Sequence, residues 1–187
     1  MPPVRNAAAT REALLASARR HFLQESYESV GLRDIARDAG FDVALIGRYF
    51  GSKEELFIAV LRKEDNNWSE LAAAADDLPS YLATLSTCDD GKDAEHIERL
   101  LIMLRSATSP QAAGIVRSTF SSDILEPFAQ VLGGPQAEAR AAMALSVLMG
   151  TTIVRTIMRL ESVYECDGDS FRDRLADILR AALVTKR

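Results

Sequence analysis

Residues able to carry out catalysis or hold a metal are few in this sequence. There are two histidines, His21 and His96. His96 follows Asp93 by three positions, the carboxylate-x-x-His spacing that places both groups on one helix face in di-iron bundles. Such a centre needs two pairs and further glutamates on facing helices, so one pair predicts no metal. His21 falls inside an amphipathic helical pattern, where a partly packed or solvated imidazole is expected. The two cysteines, Cys88 and Cys166, show no C-x-x-C spacing. They read as small buried hydrophobes in a reduced, intracellular compartment. The sequence contains no H-E-x-x-H, Walker loop, G-x-G-x-x-G or G-x-S-x-G, and nothing in it favours a Ser-His-Asp arrangement. We therefore expect no enzyme, no cofactor and no metal.

The patterned chemistry lies instead in Leu32 to Lys53, LRDIARDAGFDVALIGRYFGSK. Leu32, Ile35, Ala36 and Ala39 recur at the spacing of one apolar helix face, and Val43, Ile46 and Phe50 begin another. Between them, Gly40 suits the left-handed residue that ends a helix, and Asp42 can cap the next one. Two helices joined by so tight a glycine turn form a helix-turn-helix, whose second helix fits the DNA major groove. The alternative at this point is an ordinary helical hairpin within a core.

The chain as a whole permits that reading. It has 187 residues, 48% hydrophobic and 26% charged, with sparse aromatics and no alternating runs. That profile suits a globular, all-α protein of one or two domains. The net charge of −5 divides unevenly. Residues 1–63 carry ten Lys/Arg against eight Asp/Glu, net +2, and the rest carry twelve against nineteen, net −7. A mildly basic head can approach phosphate where an acidic body cannot. Met1 to Thr10 lacks a continuous apolar core, so no signal peptide is expected. The apolar run Ala141 to Val154 falls short of the roughly 20 residues of a membrane span and reads as a buried helix.

In chain order, Met1 to Ala8 reads as a loose arm, with Thr10 as the N-cap of a first helix striped by Leu14, Ala18 and Phe22. Arg11, Arg19 and Arg20 mostly face away from the stripe, toward solvent or phosphate. Tyr27 to Val30 links to the helix-turn-helix. Ser52 and Glu55 then form the capping box S-x-x-E of a helix predicted to run from Lys53 to Ala75 and join head to body. Further helices are predicted over Leu78–Thr87, Ala94–Ala107 and Pro110–Leu132, the last kinked at Pro127. Gly133-Gly134-Pro135 is a break, with proline starting the helix that runs to Leu160. The final helix, Ser170 to Lys186, buries Phe171, Leu175, Ile178, Leu179, Ala182 and Leu183. These two long helices carry more apolar surface than a small body can hide, which suggests a homodimeric four-helix bundle; a monomer whose core absorbs both is the alternative.

The head resembles the DNA-binding domain of the tetracycline-repressor (TetR) family over about Ala9 to Phe57. The match is carried by R-D-I-A-x-x-A-G, a short linker, a helix ending in an aromatic pair, and S-K-E-x-L. The resemblance implies an N-terminal three-helix helix-turn-helix head, residues 1–53, joined by a linking helix to a helical ligand-binding and dimerisation body, residues 54–187. It implies that Ile35, Ala36, Ala39, Ile46 and Phe50 hold the head together. Arg33 would approach phosphate or a base edge, while Val43, Ala44, Leu45 and Arg48 would face the major groove. Tyr49 and Lys53 would hold phosphates. Physical chemistry agrees, since arginine bonds guanine bidentately, small apolar groups touch thymine methyls, and lysine supplies salt-sensitive affinity.

Three positions depart from the family pattern: Gly31 and Asp42 stand where hydroxyl residues are usual, and Gly47 where a larger residue is. In the body, Trp68, Met103, Phe120, Phe128, Met143 and Met149 would line an effector pocket, and core packing explains the same residues equally well. Arg117, Arg155 and Arg159 are candidates to meet an anionic ligand, although such arginines more often pair with a nearby acid such as Glu161 or snorkel outward. The expected protein is a cytoplasmic homodimeric repressor that binds a palindromic double-stranded operator, is released by a small molecule, and has no membrane partner. A helical ligand-binding or enzymatic bundle with a vestigial head is the rival.

Overall fold

The computed structural model describes residues 4–62, 68–87, 94–164 and 168–184. Within them the chain is helical and no strand is present: α1 Val4–Gln24, α2 Leu32–Asp38, α3 Ala44–Phe50, α4 Lys53–Leu61, α5 Trp68–Ala73, α6 Leu78–Thr87, α7 Ala94–Ser106, α8 Ala113–Phe120, α9 Glu126–Leu132, α10 Ala137–Thr152, α11 Glu161–Tyr164 and α12 Gly168–Leu183. Cys88, Cys166, Asp93 and Lys186 lie outside the described residues. Two compact units divide the chain. The first comprises residues 1–64 together with 98–120, and the second residues 65–97 together with 121–187.

In the first unit, α1 packs on α2 and α4, α2 and α4 each pack on α3, and α8 packs on α4. Its centre is aromatic. The Phe22 and Phe57 rings meet edge to face at 4.8 Å, and Tyr27 meets Phe57 likewise at 4.9 Å. Burying such a side chain stabilises the fold by about 1.5–3 kcal/mol. Leu14, Ala18, Ile35, Ile46, Leu56 and Val60 close around them, as their helical spacing predicts. Ser17 is fully buried but satisfied, because its hydroxyl donates to the Ile35 carbonyl at 3.0 Å.

Two expectations for α1 do not hold. It begins at Val4, so residues 4–8 are helix and not a loose arm. Thr10 is buried inside it instead of capping it, because Ala7, Ala8 and Ala9 are the best helix formers and extend it backward.

The predicted linking helix also ends early. Arg62 takes extended backbone, ψ 142°, and the next described helix begins at Trp68. Lys53 to Ala75 is therefore not one continuous helix.

The second unit is built on α12 against α6 and α10, with α9 against α10 and α5. Leucine and alanine fill its core: Leu71, Leu78, Leu82, Ala83, Ala141, Ala144, Leu175, Ala176, Leu179 and Leu183 surround Phe128. Trp68 stacks on Phe128 with centroids 6.4 Å apart. Arg140 ties the unit's turns: its guanidinium donates to the carbonyls of Leu183 (2.9 Å), Pro135 (3.1 Å) and Gly133.

Pro127 disturbs the predicted Pro110–Leu132 helix by widening it. Lacking an N–H, it follows a π turn over Ser121–Leu125 that separates α8 from α9, and nothing before Ala113 is helical back to Ser106. After α9, Gly133 and Gly134 take positive φ (54° and 71°), and so does Gln136 (53°). Pro135 thus sits within the turn and does not start α10.

Two further corrections concern apolar faces. Ile178, expected inward, is 54% exposed, along with Met143 at 59% and Val184 at 60%. The segment Ala137–Ile157 is long and apolar enough to cross a membrane by composition alone, yet α10 buries only Ala141 and Ala144 within its own chain. The expected all-round cover is not supplied by this chain.

Candidate nucleic-acid interface

The turn between α2 and α3 forms as its sequence dictates. Gly40 has φ +78°, a region that costs a side-chain-bearing residue energy but glycine none. The Phe41 N–H donates to the Ala36 carbonyl at 2.9 Å and the Gly40 N–H to Arg37 at 3.0 Å, the paired bonds of a Schellman end. Asp42 then accepts from the Ala44 N–H at 2.7 Å, so the first donor of α3 is satisfied by a side chain. At the other end Gly51, φ +84°, ends α3. The Ser52 hydroxyl accepts from the Glu55 N–H at 3.0 Å, which starts α4 as the S-x-x-E pattern predicts.

This framing gives α3 two faces. Ile46 and Phe50 are buried. Val43, Ala44, Gly47 and Arg48 are exposed, and Leu45 and Tyr49 are half-buried between them. Arg33 is exposed on α2. Lys53 is half-buried at the start of α4, with its ammonium over the Tyr27 ring.

At the three departures from the pattern, the geometry is specific. Gly31 precedes α2 without any side-chain cap. A Cβ there would come within 2.6 Å of the Asp34 carboxylate, a flexible group that is held by Arg37 at 2.6 Å. At Gly47 a Cβ would meet nothing within 4 Å, so the position has open space on the exposed face.

Sequence reasoning missed three contacts. The Arg11 guanidinium lies 5.2 Å from the centroid of the Phe50 ring, which accounts for it without phosphate. His21 ties α1 to α2 through the Asp38 carboxylate at 3.1 Å. Ser109 bonds Glu28 across 81 residues of sequence. None has a local signal, since each pairs residues that only the folded chain brings together.

The body residues are not gathered into one group. Trp68, Phe128, Met143 and Met149 belong to the second unit, whereas Met103 and Phe120 belong to the first. Trp68 and Phe128 are stacked, Met149 is half-buried, and Met143 is on the exposed side of α10. Arg117 is exposed, Arg155 donates to the Ser86 carbonyl at 3.4 Å, and Arg159 is in an exposed turn with φ 50°. Among the described residues no group of three or more His, Cys, Asp or Glu side chains could hold a metal.

Residues 14–60 match the family of bacterial regulatory proteins named for tetR, and residues 83–183 match the tetracycline-repressor-like C-terminal domain. The chain belongs to the TetR family. It is accordingly a ligand-responsive, DNA-binding transcriptional regulator and not an enzyme. No curated protein matches it closely. Among solved structures, it resembles NalD, the secondary repressor of the MexAB-OprM multidrug efflux pump in Pseudomonas aeruginosa. The TM-score is 0.69 at 17% identity, over 98% of this chain and all of the other. A TetR-family regulator from Streptomyces coelicolor A3 matches with TM-score 0.51 at 25% identity, over 98% of each chain. The hemolysin II transcriptional regulator HlyIIR gives 0.58 at 18%, over 96% of this chain and 99% of its own. At such identities NalD and HlyIIR attest the shared fold.

Proposed function

We propose that this TetR-family regulator is a cytoplasmic homodimeric repressor that reads a palindromic operator with α3 and releases it when a small molecule binds. The observation that carries the reading is the division of α3, whose scaffold residues Ile46 and Phe50 are buried while Val43, Ala44 and Arg48 stand free. In this reading Arg48 bonds a guanine edge, Val43, Ala44 and Leu45 contact neighbouring bases, and Arg33, Tyr49 and Lys53 hold the backbone. Residues 1–53 supply the DNA contacts and residues 54–187 supply regulation and pairing. Exposed Met143 and Ile178 on the two long helices favour a second copy as cover, because each copy offers the other the same apolar surface. Two heads must then sit about one helical turn, 34–36 Å, apart. An effector that changes their spacing abolishes binding, and Trp68 and Phe128 are the aromatic side chains we assign to it, with Met103, Phe120, Met143 and Met149 as further candidates.

Selection of bound fragments from a genomic library, followed by gel shift at increasing salt, tests this. We expect a two-fold symmetric site and a salt-dependent shift. Arg48→Ala should cost about 1–3 kcal/mol and relax the preference at one position per half-site. A wild-type chain that selects no common sequence would leave the rival bundle with a vestigial head as the better account.

A further inference from the structure

Within the first unit, Lys53 belongs to a polar relay. Its Nζ lies 4.7 Å from the centroid of the Tyr27 ring and donates to the Glu28 backbone carbonyl at 3.5 Å. Both partners come from one dipeptide in the loop between α1 and α2. That dipeptide is fixed in turn. The Tyr27 ring is stacked against Phe22 and edge-on to Phe57. The Glu28 carboxylate accepts from the Ser109 hydroxyl, and that bond chiefly draws its carboxyl below the usual range. Ser109 also accepts from the Ala112 N–H at 2.9 Å, so its hydroxyl is used as both donor and acceptor. A second tie joins the same two segments, since Arg105 donates to the Gln24 carbonyl at 2.6 Å.

The arrangement bears on the lysine's charge and its freedom. Burial lowers the Lys53 pKa, and the nearby Glu28 charge opposes that shift. A lysine already held over a ring and a carbonyl has less rotamer freedom left to lose when a phosphate arrives, and such preorganisation raises affinity without a new contact. We propose that Ser109 and Glu28 are positioning residues for Lys53: the turn between α7 and α8 holds the Tyr27–Glu28 loop and through it sets the strength of one phosphate contact. This rests on the reading that Lys53 meets phosphate. It makes residues 106–112 a place where displacement weakens DNA binding without touching α3, lowering affinity for every sequence alike.

The test uses the full chain and a duplex it selects from a randomised pool. Lys53→Ala should weaken binding and reduce the slope of log affinity against log salt by about 1.8, one phosphate's share of about 0.9 in each half-site of the proposed dimer. Ser109→Ala, which changes no charge, should weaken binding about fivefold with the base preference intact, and Ser109→Thr should restore it. In the Lys53→Ala background, Ser109→Ala should cost nothing further. An equal Ser109→Ala cost in both backgrounds, or a Ser109→Ala variant that binds as wild type, overturns the relay and leaves the phosphate contact standing. A Lys53→Ala variant with unchanged affinity and slope removes the phosphate contact itself and the relay with it. Matching thermal unfolding of Ser109→Thr and wild type shows that the rescue is read on folded protein.

Discussion

The two units solve the burial problem differently. The first closes on three aromatic rings within 6.0 Å of one another and, among its described residues, leaves only Val43 and Leu104 as exposed large apolar side chains. The second is made of leucine and alanine around a single buried phenylalanine, and Leu85, Met143, Met158, Leu160, Ile178 and Val184 remain exposed on it. Exposed apolar side chains gathered in one unit mark a surface that needs a partner. Under the proposed pairing, the first unit closes its core within itself, while the second would be finished by a second copy. A rigid head keeps its recognition helix in register. A body that depends on contacts elsewhere can be shifted by them.

Four variants would break or sharpen that contrast. The largest effect is expected from Phe57→Ala, which removes the ring that Phe22 and Tyr27 share and should cost about 3–5 kcal/mol. DNA binding should disappear while sedimentation still shows the wild-type assembly; retained operator binding would mean that the aromatic centre is not what holds the head. Next is Met143→Glu with Ile178→Glu, exposed in the single chain and buried in the proposed dimer. Burying unpaired charge should weaken pairing by about 3 kcal/mol or more, a hundredfold or greater change in dissociation constant. Helicity by circular dichroism should not change, and a dimer of undiminished strength would place the interface elsewhere. Arg140→Ala removes donors to three carbonyls at the turns of the second unit and should cost about 2 kcal/mol, read as a lower urea midpoint with operator specificity intact. The smallest effect is Gly47→Ala. A methyl meets nothing there and glycine weakens a helix, so stability should rise by about 0.5–1 kcal/mol. A fall would show that the exposed face of α3 is less open than its geometry states.

The parts of the site that follow local rules were legible in the sequence. Gly40, Asp42, Ser52 and the spacing of Ile35, Ile46 and Phe50 each act within one helical turn, and all sit where their chemistry requires. The breaks were harder to read. Nothing in Val60-Leu61-Arg62 disfavours a helix, yet α4 stops there, and a proline that should kink a helix instead follows a π turn. Ile178 fits the apolar stripe of α12 and still faces outward, because a stripe wider than the surface it meets leaves its edge bare. The tie between Ser109 and Glu28 was beyond reach, since a serine after an alanine-threonine pair resembles any loop hydroxyl until the fold brings it to the carboxylate.

The first unit is also interrupted in the chain, with residues 98–120 returning to it after part of the second unit has been made. During synthesis the recognition helix therefore leaves the ribosome well before its own domain can finish folding. At roughly 5–20 residues per second, the interval between Glu64 and Phe120 is about three to eleven seconds, during which α4 has no α8 to pack against. A nascent chain in that interval exposes apolar surface to chaperones and proteases, and a gene fragment ending at residue 64 would remain in that state. The first unit is thus completed late in translation, although the residues we propose to touch DNA are among the first made.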